Sequence, residues 1–256
     1  MLLCIDIGNT NIVFGLTDKK NILHNWRIRT DPKITPDELI IIFDTLSHSS
    51  RTKTEDIKNV IVTSVVPSLQ RAINEFCYRH LNIKPIFVDH TTDTGMQIKY
   101  TNPREVGSDR IVNSVGAYQK YRSALIVVDL GTATTFDYIS SDGCYMGGAI
   151  APGIITSSEA LYQKGSRLPR LDTLTRPQSV IAKDTVNSMN AGIIYGYAGL
   201  VDGIVNRIKK ESGEKLTVVV TGGLAPLIYD ISETIDHVEE YLTIEGLMTI
   251  FKRQKI

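Results

Sequence analysis

The sequence predicts an α/β protein of two like halves, each a mixed β-sheet flanked by helices, with a cleft between them. Three observations carry that prediction. A short run of apolar, mostly β-branched residues ends at an aspartate, passes through a glycine and a hydroxyl-rich turn, and resumes as a strand, twice over. The two copies, Leu2–Gly15 and Leu125–Ile139, lie almost half of the 256-residue chain apart. After each copy come a further strand and then helices alternating with strands, the order of a sheet covered by helices.

In chain order, Leu2–Ile7, Ile12–Thr17 and Ile22–Ile28 read as three strands, the second turn being Asp18-Lys19-Lys20-Asn21. Thr35-Pro36-Asp37-Glu38 opens a helix, with Thr as the cap, Pro in the first position and acids in the first turn. Leu39, Ile40, Ile42, Phe43 and Leu46 carry it on. Val60–Ser64 is a strand, Pro67–Leu81 a helix, Lys84–Val88 a strand and Val106–Tyr121 another helix.

The second half repeats the scheme. Leu125–Asp129, Thr134–Ile139 and Cys144–Ile150 are strands, with Ser140-Ser141-Asp142-Gly143 as a hairpin turn. A helix follows Pro152-Gly153, and a long one runs from Thr185 to Lys210. Ala191, Gly192, Gly196, Ala198, Gly199 and Gly203 recur along it at spacings of three and four, which lets another helix or a partner subunit approach closely. Packing within one chain explains that pattern equally well. Leu216–Val220 is the last interior strand, ending in Thr221-Gly222-Gly223, and Ile244–Lys252 is a terminal helix. With no linker or low-complexity segment, the halves divide at 1–121 and 122–256.

Composition narrows the class. A hydrophobic fraction of 42% and a charged fraction of 22% belong to a soluble globular protein. Lys+Arg 28 balances Asp+Glu 28, so no basic field favours nucleic acid or an anionic membrane. The three cysteines, Cys4, Cys77 and Cys144, are an odd, widely spaced set that argues against a disulfide framework or a zinc site and for a reducing cytoplasm. The start of the chain does not read as a signal peptide, and no run approaches the ~18 apolar residues of a membrane span.

The repeated hairpin suits a nucleotide phosphate. Glycine brings backbone N–H groups close to an anion with no Cβ in the way, Gly131 frees the chain for a tight turn, and Thr132, Thr134 and Thr135 supply hydroxyls. An aspartate beside phosphate makes sense when a cation sits between them. Either copy alone also fits an ordinary hairpin whose Asp and Gly are turn formers. Two at equivalent places favour the phosphate. A GxxxxGK[ST] loop and a GxGxxG pattern are both absent, so the nucleotide site has to come from the paired hairpins. Thr221-Gly222-Gly223 is a third Gly-rich strand end, suited to a wall for adenine or ribose. The five scattered histidines have no metal-ligand spacing. Trp26 reads as core or interface, and Asp137 and Asp142 as turn or surface residues.

Asp6-Ile-Gly-Asn-Thr-Asn, Asp129-Leu-Gly-Thr-Ala-Thr-Thr and Thr221-Gly-Gly resemble the two phosphate motifs and the adenosine motif of the acetate kinase, sugar kinase, Hsp70 and actin superfamily. More narrowly, the chain resembles the type III pantothenate kinase family almost end to end. Tyr100-Thr-Asn-Pro-Arg-Glu-Val-Gly-Ser-Asp-Arg110, Gly147-Gly-Ala-Ile-Ala-Pro-Gly153, Thr221-Gly-Gly-Leu-Ala225 and Leu242-Thr-Ile-Glu-Gly-Leu247 carry the likeness.

The resemblance implies duplicated actin-like (ribonuclease H-like) domains with the active site in the cleft. It also implies ATP-dependent phosphorylation of pantothenate to 4′-phosphopantothenate, the first step towards coenzyme A. Asp109 stands where the family has its catalytic base, while Tyr100, Gly107, Ser108, Asp109, Arg110 and Thr185 match pantothenate contacts. Thr185 would be delivered by the neighbouring subunit of a homodimer. The ATP contacts would be Asp6, Ile7, Gly8, Asn9, Thr10, Asn11, Ile12, Val13, Thr132, Gly222 and Gly223. Asp129 matches the ligand of a monovalent cation, K⁺ or NH₄⁺, and Asp6 would hold Mg²⁺ through water. Beside Thr185 the chain departs from the family's Gly and Asn, with Ala182 and Asp184. Two other functions fit the same scaffold: a catalytically idle regulator, against which the intact Asp6, Asp109, Arg110 and Asp129 argue, and a kinase for another small hydroxy or carboxylate substrate.

Overall fold

The structure, a computed structural model, describes residues 1–18 and 20–254; Lys19, in the expected Asp18–Asn21 turn, lies outside them. It divides into two compact units. The first comprises Met1–Met96, Thr101–Gln119 and the chain from Thr243 onward, and the second Gln97–Tyr100 and Lys120–Leu242.

In the first unit, β1 (Leu2–Ile7), β2 (Asn11–Thr17), β3 (Ile22–Arg29), β4 (Asn59–Ser64) and β5 (Ile86–Phe87) form one sheet in the order β3-β2-β1-β4-β5. β1 pairs antiparallel with β2 and parallel with β4, which makes the sheet mixed. Helix α1 (Pro36–Ser49) starts as its sequence demands. The Thr35 hydroxyl accepts from Glu38 N–H and the Glu38 carboxylate accepts from Thr35, a reciprocal cap over two otherwise unpaired donors. Helix α2 (Gln70–Leu81) follows a single 3₁₀ turn over Pro67–Leu69. Both helices cover one sheet face, where Leu3, Ile5, Phe14, Phe43, Ile73 and Phe76 are buried together. Trp26 borders this core, edge-on to Phe43 at 6.1 Å.

Helix α3 (Ser108–Tyr121) is followed, in the second unit, by β6 (Leu125–Leu130), β7 (Ala133–Ile139) and β8 (Tyr145–Pro152), then α4 (Ile154–Lys164) and the long α5 (Thr185–Ser212). β9 (Thr217–Thr221), the short α6 (Ala225–Ile228) and β10 (His237–Val238) complete it. The sheet order is β10-β9-β6-β7-β8, with β6 antiparallel to β7 and parallel to β9. The first sheet's pattern is thus reproduced strand for strand. Val128, Leu130, Phe136, Ile194, Val201 and Val220 lie in its core, so α5 supplies much of the cover.

The last helix, α7 (Leu242–Arg253), departs from a division at residue 121: from Thr243 onward it belongs with the first unit. Small residues make this docking close. A Cβ on Gly15 of β2 would lie 2.7 Å from Ile244 Cγ2, and one on Gly246 would run into the backbone of Val112 in α3. Thr243 adds a hydroxyl donor to Asn113 at 2.8 Å. Residues 97–100 cross the other way and join the second unit through Ile98, which bridges to Tyr145 at the start of β8.

Candidate active site

Each central strand ends in one of the two aspartates. Asp6 lies opposite Val13 near the end of β1, and the hairpin closes with Gly8 N–H donating to Asn11 O at 3.0 Å. Thr30, directly after β3, fixes the loop: its N–H donates to Thr10 O at 2.9 Å and its hydroxyl to Gly8 O at 2.7 Å. Asn9 and Thr10 are exposed, whereas Ile7 and Ile12 are fully buried in the core, so their side chains do not face a ligand. Val13 and Asn11 are partly exposed. Sequence alone does not point to Thr30, because only the register of β2 on β3 brings it to the loop.

Asp129 lies opposite Thr135, and its loop is the pair Gly131 and Thr132, with Gly131 N–H donating to Ala133 O at 3.1 Å. Gly153, directly after β8, donates its N–H to Thr132 O at 3.1 Å, and the Thr156 hydroxyl donates to the same oxygen at 2.8 Å. A side chain on Gly153 would strike the carbonyls of Gly131 and Thr132, which explains the glycine there.

Three expectations about this loop need correction. Gly131 is not in the left-handed region, and an added Cβ would meet only Ala133 O and Asp129 Oδ1, both at an ordinary 3.5 Å. The turn itself therefore does not require glycine. Of the three threonines, Thr134 is fully buried with its hydroxyl unpartnered, and Thr135 donates to Asp137 at 3.2 Å; only Thr132 is exposed. Asp137 is no surface residue. It is 1% exposed in β7, where the Tyr145 hydroxyl donates to Oδ1 at 2.7 Å and Thr135 faces Oδ2. Asp142 does sit in the turn, accepting from Ser140.

Gly222 has φ +97°, a conformation glycine adopts freely and other residues resist. Its Cβ would fall 2.7 Å from Leu130 O and 2.9 Å from Asp129 Oδ1, so this backbone lies directly against the second aspartate. Gly223 is exposed beside it.

The first turn of α3 holds Asp109. A 3₁₀ turn over Pro103–Glu105 precedes it, so the helix begins at Ser108 and not at Val106. Ser108 does not cap its own helix. Its hydroxyl accepts from Thr63 Oγ1 at 2.8 Å and donates to Ser64 O at 3.2 Å, which ties α3 to the end of β4. Asp109 Oδ1 accepts from Arg110 N–H at 2.8 Å, one of the donors a helix start leaves unpaired. The carboxylate is half-buried, and desolvation pushes its pKa above the usual value against the opposing pull of Arg110. Gly107 explains itself here: a Cβ would lie 2.5 Å from Asp109 Oδ1. Arg110 is only 8% exposed.

Tyr100 is exposed in the second unit, its ring tilted against that of buried Tyr145 at 6.3 Å. Thr185 opens α5 on the rim of an open groove of about 700 Å³, lined also by Leu161, Leu168, Lys183, Met189 and Ile193. Asp184 is the cap of α5. Its carboxylate accepts from Asn187 N–H at 2.9 Å, and that bond together with the Asn187 side chain lowers its pKa.

Two mixed sheets of identical strand order, each with an aspartate at the end of its central strand, define the actin-like fold class that sugar kinases share. A ROK family glucokinase from Streptomyces griseus, solved with glucose and AMPPNP, superposes with a TM-score of 0.55 at 12% identity, covering 97% of each chain. A Campylobacter jejuni protein described as a Baf family transcriptional activator reaches 0.62 at 20% identity, over 98% of this chain and 97% of that one. Sequence narrows the class. The family model for type III pantothenate kinase matches residues 2–207, and the Syntrophobacter fumaroxidans protein of that name is 54% identical over 100% of this chain and 99% of its own. The chain belongs to the type III pantothenate kinase family.

Proposed function

We propose that this protein transfers the γ-phosphoryl group of ATP to the primary hydroxyl of pantothenate, giving 4′-phosphopantothenate at the start of coenzyme A synthesis. The observation that carries the reading is the half-buried Asp109 beside Arg110 at the start of α3, in a chain that matches the family over its whole length. An alcohol is far less acidic than any aspartate. In a loose transition state the carboxylate orients the hydroxyl and accepts its proton late, and a raised pKa makes it the better acceptor. The planar donor fork of Arg110 suits the substrate carboxylate or the migrating phosphoryl group. Tyr100, Gly107 and Ser108 shape the pantothenate site, Gly107 by leaving room for the Asp109 carboxylate.

The two hairpins, with Gly222 and Gly223, would hold ATP. Asp6 and Asp129 fit the ions that the reading calls for, Mg²⁺ through water at Asp6 and K⁺ or NH₄⁺ at Asp129. Each offers a hard carboxylate of the kind such ions take. When bound, such ions neutralise phosphate charge. A homodimer would supply Thr185 to the neighbouring site. In support, Gly192, Gly196 and Gly199 are exposed, and a Cβ on any of them would meet nothing within 4 Å. The unpaired cysteines and balanced charge support a cytoplasmic enzyme without a nucleic-acid partner.

A coupled assay of ADP release, offering pantothenate, glucose, glycerol and acetate in turn, tests the reading. Turnover with pantothenate alone is expected, falling when Na⁺ replaces K⁺. Turnover on a sugar, or on nothing, overturns the reading, and indifference to the cation removes the Asp129 assignment. A solution mass of two chains is expected, and a monomer removes the dimer.

A further inference from the structure

The proposed mechanism makes no use of the most deeply buried acid–phenol pair of the second unit. Asp137 and Tyr145 are 1% and 0% exposed, and the Tyr145 hydroxyl donates to Asp137 Oδ1 at 2.7 Å. The second oxygen of Asp137 is taken by the Thr135 hydroxyl at 3.2 Å. Two hydroxyl donors satisfy this buried carboxyl group, and the bond to Oδ1 fixes the phenol in turn.

Tyr145 is also where residues 97–100 dock. Its N–H donates to Gln97 O at 2.9 Å and its carbonyl accepts from Lys99 N–H at 2.8 Å. Its ring lies 6.3 Å from that of Tyr100 with a 57° tilt, a favourable aromatic geometry. Gly147, at φ +109°, completes the seat: a Cβ there would stand 3.4 Å from Tyr100 Cε2. Backbone and side chain of one buried residue therefore set the position of one exposed ring.

We infer that Asp137 and Tyr145 are positioning residues for the acceptor substrate, holding Tyr100 at the angle at which its ring meets pantothenate. The inference rests on the reading of Tyr100 as a pantothenate contact. The buried bond from the Tyr145 phenol to Asp137 does the holding, so weakening it loosens Tyr100 and leaves the chemistry at Asp109 alone.

Steady-state kinetics of the full chain, with the thermal midpoint of each variant as a fold check, test this. Tyr145→Phe removes one oxygen atom and is expected to raise the KM for pantothenate about tenfold, with kcat and the KM for ATP within about twofold of the parent. Asp137→Asn keeps one acceptor oxygen but turns the other into an NH2 donor, and is expected to raise the same KM about threefold. Should Tyr145→Phe fail to fold, Asp137→Asn decides. An unchanged pantothenate KM in both folded variants overturns the inference, as does a joint loss of kcat and both KM values, which marks a merely structural pair. Tyr100→Ala separates the two levels. If it leaves the pantothenate KM unchanged, the reading of Tyr100 fails and the inference goes with it; if it raises that KM while Tyr145→Phe does not, only the inference fails.

Discussion

The two phosphate-type hairpins are closed by the same bond and supported by different neighbours. In each, the residue directly after the third strand donates its backbone N–H to a loop carbonyl, Thr30 to Thr10 and Gly153 to Thr132. Beyond Thr30 the chain runs on as a loop to α1, and the Thr30 hydroxyl adds a second latch on Gly8. Beyond Gly153 a helix begins at once, so the positive end of α4 stands beside the second loop. The duplicated scaffold kept the latch and changed what is fastened to it. The first loop offers exposed Asn9 and Thr10 side chains, the second a short turn backed by a helix.

One strand further out, the halves diverge more sharply. Gly15 faces Cys4, and Asp137 faces Val127, in each case two residues before the hairpin aspartate on the central strand. In the first unit that position is a bare backbone on which Ile244 rests; in the second it is a buried carboxylate that anchors Tyr145. One equivalent site became packing and the other polar support.

The hardest break is at Asp109. Asp109→Asn should lower kcat by about 10²- to 10⁴-fold with the KM for ATP nearly unchanged; equal loss of both would make the residue structural. Because burial raises this pKa, the parent should lose kcat/KM with falling pH from above the usual carboxylate range, a limb the variant lacks. Stability runs the other way. A folded-state pKa above the unfolded one means that the folded chain is favoured at low pH and loses that advantage as pH rises through the folded value. At neutral pH, Asp109→Asn should therefore melt no lower than the parent.

Next comes Gly131→Ala. With room for a methyl in the loop, the thermal midpoint should hold within about 1 °C while the KM for ATP rises about tenfold, the mark of a glycine required by a ligand and not by the fold. A matching drop in melting would show that the loop has no such room. The smallest effect belongs to Gly15→Ala, which should cost about 1–3 kcal/mol in stability by pushing Ile244 of α7 aside, with kcat intact. An unshifted melting curve would mean that α7 yields freely.

Both hairpins, the opening of α1 and the course of α5 were legible because apolar period, capping chemistry and turn residues act locally. β10 was not: its two residues are exposed and carry no alternation. β5 covers only Ile86–Phe87 of the expected Lys84–Val88, as edge strands lack a partner to extend them. The sequence shows α7 as a helix but not the unit it joins, because an apolar stripe does not name the surface it covers. Asp137 is hard to place from sequence for a similar reason. An acid near a turn suggests solvent, and only the pairing of β7 with β8 brings the Tyr145 hydroxyl to it.

The lodging of α7 against Gly15 makes the two units unlike in how the chain builds them. The strands and helices of the second all lie within residues 97–242. The first is discontinuous: β2 meets Ile244 of α7 at Gly15, so the unit is complete only when widely separated segments of the chain come together. Contacts of such wide sequence separation cost more chain entropy to close than local ones, and removing α7 would uncover Gly15 of β2.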